Sequence, residues 1–420
     1  MSIVLSRYLG GHDQRFWNRH LRHMLERMLF LAGYCDQDVS SQLRFLESIV
    51  TPHLGKRPRR IGRHAHHSFM TDDGTPIEMS WSWTEGDIDT MPVVRYSIEP
   101  LAMTLPKDEK WLNLHGSNAF LQDASGWFTA PDMTWFNRVN NILLQYDRCP
   151  IGSKTGEHES QIFWAFDLDG GHRLLKVYYV LNARAQGLSC SKLSLVERAV
   201  SKLSVDESMA TALENFFTFI RASGADTEVE ILSFDCIDPD RSRIKIYFRS
   251  RITSFSRVRS IMSWGQMHSC TTKGDMGSLK DLWHSVLGLD SHRSLEDPLQ
   301  VKKHRTAGIL YYCEFKPRTS AIKSKVYIPV RHYGINDQLI ASRMSHFLTS
   351  RSMRLQEKTY LEALQQLHPR RSLEKGLGLH TYISWAINAA GKINITTYLN
   401  PGLVRNRPDV STTPLRWLCV

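Results

Sequence analysis

Three stretches of this chain share one pattern: a strand-like apolar run in which a cation is followed two residues later by tyrosine. Residues 174–180 read LLKVYYV, with Lys176 and Tyr178; 243–248 read RIKIYF, with Lys245 and Tyr247; 325–330 read KVYIPV, with Lys325 and Tyr327. Side chains two apart on a strand point to the same face. Each copy therefore places positive charge and an aromatic ring on one surface, which a hydrophobic helix layer cannot cover without stranding the charge. A chain built this way must turn its charged faces towards one another, around water or an anion.

The same stretches belong to strand pairs spread along the chain. Residues 77–83 alternate cleanly, with Glu78, Ser80 and Ser82 on one face and Met79, Trp81 and Trp83 on the other. A second strand follows at 93–101. Further pairs are expected at 161–168 with 174–181, 229–237 with 243–249, 308–315 with 325–330, and 381–387 with 393–399. Gly170 and Gly171, Pro239, and Gly391 supply the turn chemistry. Helical spacing fills the intervals at 135–146, 206–222, 338–349 and 353–367. Ahead of them, Trp17, Leu21, Met24, Leu25, Met28, Leu29 and Ala32 mark one buried helix face, and a second helix over 39–50 ends at Pro52 and Gly55. The pairs begin at intervals of about 70 to 85 residues, a repeat of helix, hairpin, helix.

Five hairpins with charged faces and apolar backs close most consistently into a barrel. The expected fold is α+β: a ten-stranded antiparallel β-barrel with a solvent-filled lumen, surrounded by helices. Two-sheet or multi-domain arrangements would leave the cationic faces without a home. All 420 residues are read as one domain, with a helical part over 1–60, five repeats over 61–402 and a short tail.

The inward faces then collect Glu78, Arg95, Lys176, Tyr178, Arg243, Lys245, Tyr247, Lys325, Tyr327, Tyr382 and Tyr398. Five cations in one cavity repel each other and lose hydration, so an anion is expected among them. Arginine forks and lysine point charges suit a phosphate or diphosphate, and the formal net charge of +11 favours an anionic partner. Tyrosine rings around such a site can stabilise a carbocation left by a departing diphosphate and keep water from it. Glu78, the one carboxylate in this set, can accept a hydrogen bond from an acidic N–H or O–H of a second substrate.

With these residues assembled, the chain resembles the fungal aromatic prenyltransferases of the dimethylallyltryptophan synthase type. The resemblance rests on SFMTDDGTPIE at 68–78, VRYSIEP at 94–100, LKVY at 175–178, RIKIY at 243–247 and KVYIPVRHYG at 325–334, and extends from about residue 16 to 401. It implies the same helix-ringed barrel, dimethylallyl diphosphate as donor and an aromatic small molecule as acceptor. It also implies Friedel–Crafts alkylation through an allylic cation, no cofactor and no required magnesium. By position, Arg95, Lys176, Arg243, Lys245 and Lys325 hold the diphosphate, Lys325 standing where many relatives carry glutamine. Tyr178, Tyr247, Tyr327, Tyr382 and Tyr398 match the cation shield. Glu78 matches the acceptor-anchoring glutamate, with Phe69, Met70, Phe163 and Val180 on the acceptor side.

Two positions depart from the family pattern. Phe163 stands where tryptophan-C4 members carry a lysine base, and Val180 where a further shield tyrosine is found. Both enlarge the apolar share of the pocket and turn the expectation from free tryptophan to a larger indole metabolite of alkaloid biosynthesis, with a phenolic polyketide as the alternative.

The competing sites are poorer. Asp72 and Asp73 form the only adjacent aspartate pair, and with Gly74 and Pro76 after them they read as a turn, not a magnesium site. His64, His66 and His67 could take zinc but read as a polar loop, as does the basic run from Lys56 to Arg60. No glycine-rich phosphate loop occurs. Basic, tyrosine-bearing strands could instead form a single-stranded nucleic-acid platform, but Glu78 would repel a phosphate backbone. Seven scattered cysteines without a CxxC pair point to a reduced compartment. No apolar run approaches the ~20 residues of a membrane helix, and the N-terminus lacks the apolar region of a signal peptide. A cytoplasmic protein is expected, without membrane or nucleic-acid partners and with a homodimer left open.

Overall fold

Alternation along the strands decides the architecture. In β1 (Ile77–Thr84), Met79, Trp81 and Trp83 are buried in the layer beneath the helices, while Ser80 and Ser82 point to the other side. The outward sets continue through Leu175, Val177 and Tyr179, then Ile244, Ile246 and Phe248, then Val326 and Ile328. The remaining strands are β2 (Val93–Ile98), β3 (Ile162–Asp169), β4 (His172–Val180), β5 (Thr227–Asp235), β6 (Ile244–Ser250), β7 (Ile309–Phe315), β8 (Lys323–Ile328), β9 (His380–Ile387) and β10 (Ile393–Leu399). Each pairs antiparallel with its neighbours in sequence, and β1 pairs with β10, which closes the ten strands into a barrel. The structure is a computed structural model; it describes residues 2–58, 68–86, 90–102, 112–144, 160–267, 275–369, 371–388 and 390–402.

Outside the barrel lie α1 (Ser2–Leu31), α2 (Asp36–Phe45), α3 (Leu112–Ala124), α4 (Thr134–Leu143), α5 (Asn182–Gly187), α6 (Lys192–Val200), α7 (Glu207–Ala222), α8 (Phe255–Met267), α9 (Asp275–Leu287), α10 (Val330–Tyr333), α11 (Asp337–Thr349) and α12 (Tyr360–Leu367). The face of α1 expected from spacing is the one it buries, with Trp17, Leu21, Leu25, Met28 and Leu29 in the outer core. Helix backbone also satisfies the sheet's indoles: Trp81 Nε1 donates to the Met28 carbonyl at 3.1 Å. Among the described residues, no helix is long and apolar enough to cross a membrane.

Two helices differ from their expected limits. The second begins at Asp36 and continues past Phe45 as a π turn over Leu46–Val50 and a 3-10 turn over Thr51–His53. The helix expected over 353–367 starts only at Tyr360. Thr359 caps it, accepting from the Glu362 amide while Glu362 accepts from the Thr359 amide, a capping box that fixes the start. Met353 instead bridges to Thr90, and Leu355 to Lys358. Arg59, Arg60, His64, His66 and His67 lie outside the described residues.

Candidate active site

Strand register brings the charges together at one end of the lumen. Arg95 on β2 faces Asp167 on β3, Lys176 on β4 faces Asp235 on β5, and Lys245 on β6 faces Glu314 on β7. Opposite charges directly across a strand pair reinforce the register that makes them neighbours. Asp235 accepts from Arg243 Nε at 2.7 Å and Lys245 Nζ at 2.9 Å, and Arg243 Nη1 reaches Glu314 at 2.8 Å. Asp167 takes a short hydrogen bond from Lys176 Nζ and lies 3.2 Å from Arg95 Nε. Among the described residues, the buried Arg95 Nε has no hydrogen-bond partner of its own. Lys325 is held by neutral groups, Asn394 Oδ1 at 2.9 Å and Thr396 Oγ1 at 3.4 Å.

Burial and neighbours set the charge states here. Desolvation would raise Asp167, but Arg95 and Lys176 outweigh it and bring its carboxyl to about 2. Asp235 is likewise pushed well down by Lys245, Lys176 and Arg243 against its burial. Lys176 is brought down to about 7, chiefly by burial, with Lys245 and Arg95 adding to the effect against Asp167 and Asp235. Burial also lowers Lys245 and Lys325. All five expected cations line one cavity of about 300 Å³ together with Tyr178, Tyr247, Tyr327 and Tyr398.

The expectation that Glu78 is the lone carboxylate of the lumen is corrected: Asp167, Asp235 and Glu314 share the cationic end. They compensate part of the positive charge, and seven cations, Lys316 and Lys323 with the expected five, still face three carboxylates at this end. Period two could have found them. Starting from Phe163, it places Ala165 and Asp167 inward, and continuing from Tyr312 it reaches Glu314.

The five expected cations gather at that end. Beyond it, Phe163, Val180, Ile231, Tyr247, Leu310 and Tyr327 form a second apolar cluster, separate from the outer core, with Phe69, Met70, Tyr178, Tyr312, Tyr382 and Tyr398 packed against it. All nine aromatic and apolar residues expected in the lumen, Glu78 aside, are in this cluster; Ile231, Leu310 and Tyr312 were not foreseen. The rings form a continuous shell. Tyr178 stacks on Phe163 at 4.5 Å, Tyr247 meets Tyr312 edge-on at 5.2 Å, and Tyr327 lies 5.5 Å from Tyr398.

Glu78 stands on the same inward face as Ser80, which pairs with Tyr398 across β1 and β10. Its Oε1 accepts from Thr381 Oγ1 at 2.6 Å, and burial raises the carboxyl to about 8 despite that bond. Phe69 and Met70 reach the lumen on a loop anchored by Glu99, which accepts from the Phe69 amide at 2.9 Å and from Ser68 Oγ at 2.5 Å. In the same loop Asp73 closes a turn, accepting from Thr71 Oγ1 at 2.7 Å and the Thr75 amide at 3.0 Å. Asp72 pairs with Arg331. Asp72, His304 and His332 bring ligand-type atoms within 4.8 Å of one another, but the Arg331 guanidinium already occupies the carboxylate and opposes a cation there.

An antiparallel barrel with a cationic floor below a tyrosine shell is the arrangement that the resemblance to the aromatic prenyltransferases implied. The tryptophan dimethylallyltransferase family model matches residues 13–363, and the chain belongs to that family. It is 35% identical over 393 residues to the 4-O-dimethylallyl-L-tyrosine synthase of Claviceps purpurea, covering 92% of this chain and 88% of that protein. It is 28% identical over 403 residues to the 7-dimethylallyltryptophan synthase of Aspergillus fumigatus, covering 92% and 84%. The fold matches the crystal structure of AnaPT from Neosartorya fischeri with a TM-score of 0.74 at 18% identity, over 90% of this chain and 91% of that one. The chain is a prenyltransferase of this family.

Proposed function

We propose that the enzyme transfers a dimethylallyl group from dimethylallyl diphosphate to the hydroxyl of a phenolic acceptor of the tyrosine type, without a metal ion. The observation that carries this reading is the polarity of the lumen, cationic at one end and ring-lined at the other. Arg95, Lys176, Arg243, Lys245 and Lys325 neutralise the diphosphate as the C–O bond of the donor breaks and the electron pair leaves with the phosphate oxygen. The allylic cation forms among Tyr178, Tyr247, Tyr327, Tyr382 and Tyr398, whose ring faces stabilise it and whose packing excludes water. A lone pair of the acceptor oxygen forms the new C–O bond, and the phenolic proton passes to the ionised form of Glu78, whose share grows as pH rises towards about 8.

Two features favour a phenol. A carboxyl whose pKa is about 8 is a far better partner for a phenolic O–H, with a pKa of about 10, than an ordinary carboxylate is. Attack by a ring carbon needs a base for the carbon-bound proton, and Phe163 occupies the strand position where the family's C4-alkylating members carry lysine. The relative named for L-tyrosine agrees with this reading. An indole acceptor, with Glu78 accepting the N–H, is the second reading, favoured by the relative named for tryptophan. A nucleic-acid platform is disfavoured by the three further carboxylates on the cationic floor.

The test is incubation with dimethylallyl diphosphate, with and without a chelator, against phenols and indoles, with the product's mass and attachment atom determined. An O-prenylated phenol formed in chelator is expected. Carbon-alkylated indole as the preferred product would overturn the acceptor reading, and loss of all turnover in chelator would overturn the metal-free reading.

A further inference from the structure

The ring-lined end of the lumen also carries arginines, and two of the three are already neutralised. Arg249 grips Glu230 through Nε at 2.7 Å and Nη2 at 2.9 Å, and Arg331 is paired with Asp72. Arg305 differs. Among the described residues no carboxylate lies in ion-pair contact with it; its guanidinium rests 4.8 Å from the centre of the Phe69 ring. Burial lowers its pKa, against the pull of Tyr382, Glu230 and Glu99. A half-buried guanidinium in this position lacks both full hydration and a carboxylate in direct contact among the described residues.

The segment that carries Arg305 is fixed. Its carbonyl accepts from Arg251 Nη1 at 3.3 Å, and the next carbonyl, of Thr306, accepts from Arg249 Nη1 at 2.9 Å. Thr306 Oγ1 bonds to His304 Nδ1 at 2.8 Å and His332 Nε2 at 2.7 Å. Gly308, at φ +92°, crosses so near the Ser250 carbonyl that a Cβ would lie 2.6 Å from it. A placed arginine with open donors is a preorganised anion site.

Its position specifies what it would read. Phe69 lies 6.2 Å from Phe163 in near-parallel stacking, and Phe163 lies 4.5 Å from Tyr178. An acceptor ring beside Phe163 and Tyr178 meets the allylic cation on one side. Because Arg305 rests on Phe69 and Phe69 stacks on Phe163, a short side chain on that ring would run along Phe69 towards Arg305. We propose that Arg305 is a specificity-determining residue that binds the carboxylate of an aromatic amino-acid acceptor. The inference rests on the prenyl-transfer reading above.

The test compares L-tyrosine with tyramine, and L-tryptophan with tryptamine, pairs that differ only in the carboxylate. With dimethylallyl diphosphate saturating, wild type should favour the carboxylated member of the pair it accepts. Arg305→Gln should raise the ratio of the two KM values, carboxylated over decarboxylated, by about 10- to 100-fold, the loss of a charge-assisted hydrogen bond. Arg305→Lys, which keeps a point charge without the fork, should fall between and guards against a Gln variant that misfolds. Equal KM changes within a pair, or a wild type indifferent to the carboxylate, would overturn the role of Arg305 while leaving prenyl transfer standing. A preference expressed only on the tryptophan pair would uphold Arg305 and remove the phenol reading. Turnover of none of the four would remove the amino-acid acceptor altogether.

Discussion

Lys245 Nζ donates to Asp235 Oδ1 at 2.9 Å, and both side chains are buried. The same carboxylate holds Arg243, so one acid organises two of the cations assigned to the diphosphate. Its depressed pKa means that its contribution is present above the ordinary carboxylate range and is lost as pH falls through the folded value. Asp235→Asn leaves buried cations short of a counter-charge and should destabilise the ligand-free enzyme by about 3–5 kcal/mol. Inorganic pyrophosphate should restore part of that loss, so its thermal shift should be larger for the variant than for wild type. Equal shifts in the two proteins would show that Asp235 does not compete for the cations that bind the donor.

Lys176 makes donor binding sensitive to pH. Its pKa of about 7 in the ligand-free lumen is set by burial, with Lys245 and Arg95 acting in the same direction and Asp167 and Asp235 against it. Below pH 7 the ammonium is present for the diphosphate; above it the proton must be taken up on binding. KM for dimethylallyl diphosphate should therefore rise by about 50-fold between pH 7 and 9. Lys176→Arg, charged throughout that window, should flatten the profile. An unchanged rise in the arginine variant would assign the titration to another group.

The donor half of this site is legible in the sequence because it is written in strand periodicity. Lys176 and Tyr178 announce their shared face without any knowledge of neighbouring strands. The carboxylates are harder to read. Asp167 stands two residues before the end of β3, where it passes for turn chemistry, and its meaning emerges only when Arg95 is placed opposite. Arg305 shows no pattern at all. It lies in a loop, and only the crossing of that loop over β6, secured by Arg249 and Gly308, brings it to the lumen. The start of α12 was written in Thr359 and Glu362, but the apolar spacing from Met353 masked it.

Glu78 should separate catalysis from stability. A folded pKa of about 8, above the ordinary value of 4.5, means the folded state holds a proton that the unfolded chain has released. Stability therefore falls as pH rises from about 4.5 to 8. Glu78→Gln removes that cost and should raise Tm at pH 8.5 by about 2–4 °C, with little effect at pH 4.5. In the same variant acceptor alkylation should fall by about 100-fold or more, while release of diphosphate by water continues. A Tm difference independent of pH would remove the proton from this account, and equal loss of alkylation and hydrolysis would remove the acceptor role.

Phe163 buttresses the boundary between cation and acceptor. Its ring lies 4.5 Å from Tyr178, at 12° between the planes, so it fixes one wall of the shell. Truncation to alanine opens space beside the allylic cation that water can enter, and water competes directly with the acceptor for the same carbon. Phe163→Ala should lower kcat/KM for the acceptor by about 10- to 100-fold. The ratio of dimethylallyl alcohol to prenylated product should rise with it, while KM for the donor, set at the opposite end, stays near the wild-type value. The partition ratio, read by mass from one reaction, separates this role from simple loss of packing. A variant that is slower but partitions like wild type would show that Phe163 only supports the fold of the wall. A variant that partitions towards alcohol would show that exclusion of water is the work its ring performs.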